Sequence, residues 1–219
     1  MTRSKVLLGV LVLCLFATFA VADTNVALGK PVSLNGGVFG VLRPGAPWPD
    51  ATTYPLASAS TITDGIFLTA GTEWQDGTIW WDTQAENSDH NPISSLDWIS
   101  IDLQGSFNVS GLIIQGDDND DYLVYGLDSS NVWQLLWDAP HAGSYGMQTR
   151  PDLNDNSVIY HLGSPVNISA LAIVGGQDSD NYYSVSEVQA FVATPEPGSI
   201  SLALFGIPAV VAAIRRRKK

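Results

Sequence analysis

The chain has 219 residues, one cysteine and a formal net charge of −12. Seven of its ten Lys and Arg lie in the first five and last five residues, so between Asp23 and Thr194 only Lys30, Arg43 and Arg150 stand against 21 Asp and Glu, a net of −18. A field of that sign repels nucleic-acid phosphates and anionic membrane surfaces, and the placement of Cys14 ahead of this body leaves it no disulfide or thiol chemistry.

In chain order, Arg3 and Lys5 form a positive start, Val6–Phe19 an apolar run, and Ala20-Val21-Ala22 an A-x-A box. Residues 1–22 therefore read as a signal peptide cut after Ala22, with Asp23 as the first mature residue. The body, 23–194, shows no amphipathic pattern of helical length. Short apolar runs alternate with Gly, Asn, Asp and Pro clusters, which predicts an all-β fold. Strands are expected at 26–34, 58–62, 79–82, 98–103, 109–115, 122–127, 132–137, 158–162, 168–174 and 185–192. The clearest alternation is Trp98–Leu103, with Ile99, Ile101 and Leu103 on one face. Arg43–Pro55 holds four prolines and reads as a surface loop. No internal repeat is visible.

The acidic run Asp117–Asp121 has D-x-N-x-D spacing, and Asp128 stands at the twelfth position of a would-be calcium loop. Tyr122 occupies the place where such a loop needs Gly, so a solvated hairpin tip is the expectation. His90, His141 and His161 lack zinc-ligand spacing, and no nucleophile elbow or phosphate loop occurs. The sequence does not read as an enzyme.

The chain closes with PEPGSISLALFGIPAVVAAIRRRKK, residues 195–219. Pro195, Glu196, Pro197 and Gly198 form a stiff extended block. Residues 199–214 form an uncharged run that would be about 24 Å long as a helix, short of the roughly 30 Å hydrocarbon core. Five cations then resist translocation and stay cytoplasmic. This three-part tail resembles the PEP-CTERM sorting signal of Gram-negative bacteria that make exopolysaccharide. The resemblance implies an exosortase as processing partner, cutting at the Pro-Glu-Pro block after a transient stay in the inner membrane, and an envelope or extracellular-matrix destination.

Four stretches of the body carry a second resemblance: NVALGKPVSL at 25–34, ASTITDGIF at 59–67, LDWISIDLQGSFNVSGLIIQ at 96–115 and YSVSEVQAFV at 183–192. In that order they resemble the discoidin-type family, also called coagulation-factor C-terminal-domain or galactose-binding-like. The resemblance implies a jelly-roll β-sandwich of two antiparallel sheets. Gln104 departs from it by preceding the Gly of a D-L-G motif, the family's cysteines are missing, and Arg43–Pro55 looks like an insertion.

Many members of that family hold a structural calcium ion, which the resemblance carries to Asp64 and Glu187, with Thr61 and Ser186 as neighbours. Carboxylates from both ends of the domain would clip its first and last strands together, since calcium takes six to eight oxygens. The residues alone also allow Asp64 simply to start a turn before Gly65 and Glu187 to face solvent. Aromatics outside the strands suggest carbohydrate, whose C–H faces stack on Trp and Tyr. Trp48 and Tyr54 in the Pro-rich loop, and Tyr182 and Tyr183 after an acidic loop, are the candidate contacts; otherwise they cover the ends of the sandwich. The expected function is a non-catalytic exported protein binding glycan or exopolysaccharide, the alternative a structural or adhesion module that binds no sugar.

Overall fold

The computed structural model describes residues 23–82, 97–143, 145–177 and 180–192. Residues 1–22 and 195–219, read as signal peptide and sorting tail, lie outside them. Thr24–Val192 forms one unit, and its described regular structure is almost wholly β. The strands are β1 (Thr24–Asn25), β2 (Val32–Asn35), β3 (Ile79–Asp82), β4 (Trp98–Gly116), β5 (Tyr122–Leu127), β6 (Trp133–Ala139), β7 (Gln148–Arg150), β8 (Tyr160–Gly175) and β9 (Tyr182–Val192). All described pairings are antiparallel.

The nine strands form one hydrogen-bonded sheet rather than the two expected. The reason lies in β4 and β8, each of which joins two expected strands into one. The first half of β4 pairs with β2 and with Ala170–Ile173 of β8, and β8 continues to β5 and β6. The second half of β4 pairs with β9, β7 and the first half of β8. Register shifts between Asp102 and Phe107, and again between Val109 and Gly111, separate the two halves. Bulges of this kind bend a strand so that one chain can serve two layers. Gln104 sits in the first irregularity at φ +58°. That is the left-handed region that glycine occupies freely and other residues at a cost of about 1 kcal/mol.

Both halves contribute to one apolar core. Ile99, Ile101 and Leu103 are fully buried, as their alternation predicts, and meet Leu171, Ile173, Leu112, Ile114 and Val188. Two expected strands are corrected. Val26–Lys30 is a turn, with Gly29 at φ +67° and its N–H on the Thr63 carbonyl at 2.6 Å. Residues 59–63 form a 3₁₀ turn, capped by Ser58, whose Oγ accepts from the Ser60 N–H. Local hydroxyl–backbone bonds of this sort compete with a strand ladder.

Candidate ligand pocket and carboxylate clip

The period of a strand settles the two neighbouring tyrosines. Successive side chains on β9 point to opposite faces. Tyr183 turns inward, stacks on its cross-strand partner Trp81 at 5.4 Å and 24°, and donates from its hydroxyl to the Gly176 carbonyl at 2.7 Å. It is fully buried in the core, so its expected role as a ligand contact is corrected. Tyr182 takes the other face. There it meets Trp74 at 6.0 Å and Trp48 at 6.4 Å. Trp80 and Trp81 on β3 divide in the same way: Trp81 joins the core and Trp80 packs edge-on beneath Trp74 at 5.7 Å.

Trp48, Trp74 and Tyr182 line a cavity of about 180 Å³. Trp74 is 4% exposed and serves as its base, whereas Trp48 is 40% exposed and stands at the rim, edge-on to Trp74 at 6.0 Å. Tyr145 flanks them, 65% exposed, with its hydroxyl donating to Glu73 Oε2 at 2.6 Å. Arg43 fixes Tyr182: its guanidinium lies 4.2 Å from the ring centroid and its Nε donates to the hydroxyl at 3.1 Å. Arg43 is itself held by Asp82, through an ion pair at 3.3 Å and a backbone N–H bond at 2.6 Å. The Pro-rich loop is thereby tied to β3 and β9, which brings Trp48 to Tyr182. Tyr54 does not line the cavity; its carbonyl accepts from Trp80 Nε1 at 3.3 Å.

The rest of the lining is largely acidic. Asp117, Asp118 and Asn119 come from the turn between β4 and β5, and Asp180 from the one between β8 and β9. The expected solvated hairpin tip is thus only partly solvated: Asp117 is 6% exposed and Asp120 fully buried. Burial pushes the Asp117 carboxyl up to about 7, with the Asp118 and Asp180 charges adding to the rise. Asp120 is pushed up to about 9, again chiefly by burial. Asp118 is raised by burial too, although the Gly146 N–H bonds its carboxylate and opposes the shift. Asp180 is braced by the Tyr182 N–H at 3.0 Å and Asn119 Nδ2 at 3.1 Å.

Arg150 holds this acidic turn from beneath. Its Nε donates to the Pro140 carbonyl at 3.0 Å. Nη1 donates to Gly116 at 2.8 Å and Gln148 at 3.0 Å, and Nη2 to Asp120 at 3.0 Å and to the Asp117 carbonyl. These five acceptors are all main-chain oxygens, so the guanidinium shapes the loop rather than pairing with a single carboxylate.

The expected calcium residues lie elsewhere in the domain. Glu187 is fully buried, which overturns the solvent-facing alternative. Its Oε2 accepts from the Gly65 N–H at 3.2 Å and its Oε1 from Gln189 Nε2 at 3.0 Å. Burial pushes it up to about 7, and the nearby Asp64 charge adds to this. Asp64 is exposed and caps its own turn through the Ile66 N–H at 2.8 Å. The two neighbouring hydroxyls are engaged: Ser186 donates to Gln115 Oε1 at 2.7 Å and Thr61 to the Ser58 carbonyl at 2.8 Å. Among the described residues no three Asp, Glu, His or Cys side chains converge as a metal group would require. The fit for calcium is thus two carboxylates, one of them desolvated, with main-chain carbonyls left to complete a shell.

Trp74 and Tyr145 are the aromatic pocket residues missed in the sequence, and Glu73, Asp117, Asp118 and Asp180 were not singled out as ligand contacts either. Both aromatics sit in turn-rich stretches outside any strand, TAGTEWQDGT and HAGSYGM. The criterion that singled out Trp48 would have found them.

No protein-family model and no curated protein matches the chain. Solved structures do. A family 32 carbohydrate-binding module from NanJ of Clostridium perfringens, in complex with galactose, is 15% identical with a TM-score of 0.45, covering 78% of this chain and 100% of that one. A fucose-binding module of Streptococcus pneumoniae is 12% identical with a TM-score of 0.45, covering 78% and 99%. A chitosan-binding module from a Paenibacillus chitosanase/glucanase is 14% identical with a TM-score of 0.44, covering 77% and 99%. At such identities and scores the ligands of those proteins do not transfer to this chain.

Proposed function

We propose that this protein is a non-catalytic, exported carbohydrate-binding β-sandwich whose ligand seats in the pocket between Trp48, Trp74 and Tyr182 and the acidic wall. The observation that carries the reading is a cavity of about 180 Å³ lined jointly by Trp48, Trp74 and Tyr182 and by the carboxyls of Glu73, Asp117, Asp118 and Asp180. Apolar C–H faces of a sugar stack on such rings, and its hydroxyls donate to such oxygens. The volume is below the ~300–1,000 Å³ of pockets for drug-sized ligands, which suits a single ring at a chain end or side branch.

The Asp117 and Asp118 side chains are in hydrogen-bond contact. As a pair they are closer than the ~5–5.5 Å of a retaining or the ~6.5–9.5 Å of an inverting carboxylate pair. Titration of the mature protein with a panel of mono- and disaccharides tests the binding reading. Trp48→Ala should abolish the signal while leaving the melting temperature nearly unchanged, because Trp48 is a rim residue. Silence with every sugar would sink the reading.

The carboxylate clip is proposed as a calcium site. A cation would relieve the desolvated Glu187 beside Asp64 and would stabilise only the folded chain. Excess chelator should then lower the melting temperature by several degrees; equal melting with calcium and with chelator overturns the assignment. The terminal segments carry the export reading. Alanines at Pro195 and Pro197 should leave full-length protein in the membrane fraction, and unaltered processing would count against exosortase as the partner.

A further inference from the structure

The pocket's charge is one-sided in a way that stacking on a neutral sugar does not require. Glu73, Asp117, Asp118 and Asp180 line it, and among the described lining residues there is no Lys, Arg or His. The nearest cations are already committed. Arg43 is bound to Asp82 and the Tyr182 ring, and Arg150 is sunk among main-chain carbonyls. All four carboxyls touch donors that only position them: Tyr145 on Glu73, the Asp118 amide on Asp117, Gly146 on Asp118, and Asn119 with the Tyr182 amide on Asp180.

Such a wall repels uronic and sialic acids. A bare metal ion is also a poor occupant. Hard divalent cations draw oxygens to within about 2.0–2.6 Å of one point, and no group of three acidic side chains converges so closely among the described residues. The carboxyls instead line, together with Trp48, Trp74, Tyr145 and Tyr182, one cavity of about 180 Å³. That lining suits an organic cation, whose charge is attracted both by carboxylates and by the π-faces of Trp and Tyr.

We propose that the pocket selects a hexosamine bearing a free ammonium group, with the pyranose against Trp48 and Trp74 and the ammonium directed to the Asp118 and Glu73 side. This rests on the carbohydrate reading above and narrows it. The shifts at Asp117 and Asp118 agree with the geometry. Both carboxyls are held above their ordinary range by burial, against the smaller pull of the Arg150 charge, and an arriving ammonium would favour their charged forms.

The test is a titration of the mature protein at pH 7 with glucosamine and galactosamine, their N-acetyl forms, and glucose and galactose, at low and high salt. The free amines should bind about tenfold or more tightly than the N-acetyl and neutral sugars. That preference should shrink as salt rises. Asp118→Asn and, independently, Glu73→Gln should each shrink the ratio of amine to neutral-sugar affinity, whatever either does to neutral-sugar affinity itself; both keep the shape of the side chain and an acceptor oxygen. Equal affinity for amine, N-acetyl and neutral sugars overturns the proposal and leaves the carbohydrate reading intact. Binding of ethanolamine as tight as that of glucosamine overturns the sugar half. No binding to any sugar removes the carbohydrate reading and this proposal together.

Discussion

Arg150→Met should lower the melting temperature by roughly 10 °C or more. The guanidinium is 2% exposed and donates to five main-chain carbonyls, at Gly116, Asp117, Asp120, Pro140 and Gln148. Methionine fills much of the space but donates nothing, so these oxygens lose their partner in a region that water does not reach. Removing one side of a buried charged network costs about 3–5 kcal/mol. In a domain of this size each kcal/mol moves the midpoint by about 2–4 °C. Arg150→Lys should fall between, because an ammonium offers three donors in place of the planar fork. The acidic wall should lose order as well, since the same contacts define the turn that carries Asp117 and Asp118. Thermal melts of the three proteins decide the matter: a loss below about 3 °C for the methionine variant would mean that the carbonyls are satisfied in some other way.

Gly146→Ala should both destabilise the domain and abolish ligand binding. Gly146 has φ +65°, and a Cβ there would lie 2.2 Å from the Thr72 carbonyl oxygen and 2.9 Å from the Gly71 carbonyl carbon. Neither is a flexible group that can step aside. The two segments are joined there by main-chain bonds, Gly71 N–H to Met147 O at 3.0 Å and Met147 N–H to Thr72 O at 2.8 Å. Relief of the clash must part them, and with them Glu73 from Tyr145 and Asp118 from the Gly146 amide. A cost of at least about 2 kcal/mol is expected from overpacking and the left-handed conformation combined. Gly143→Ala is the matched control. It shares a positive φ, +67°, but has open space around it, so it should cost only about 1 kcal/mol and keep binding. Retention of sugar binding and normal melting in Gly146→Ala would refute the account of how the pocket is braced.

Much of the fold was readable because its signals are local. The alternation of Ile99, Ile101 and Leu103 needs only the two-residue period of a strand, and all three are buried as expected. The reading of 58–62 as a strand failed because Ser58 and Thr61 offer short-range hydroxyl bonds that a pattern of apolar residues does not register. The joining of two expected strands into β4, and of two more into β8, was hidden because the irregular stretches between them look like loops until their partners are known.

The pocket divides in the same way. Trp48 and Tyr182 were legible as aromatics outside the apolar pattern. Tyr183 separates from Tyr182 only once β9 is seen to begin at Tyr182 rather than at the expected 185, because strand period then puts adjacent residues on opposite faces. By itself, then, the sequence determined an acidic all-β body, many residues of its core strands and a short set of candidate aromatics, of which Tyr183 belongs to the core. The tertiary structure alone decided which of them meet. Trp48, Trp74, Asp118, Tyr145 and Tyr182 come from five separate turns or strand ends. Their assembly depends on long-range strand pairing, on the Arg43–Asp82 tie and on the Arg150 brace, and contacts between residues so far apart in the chain leave no periodic trace along it.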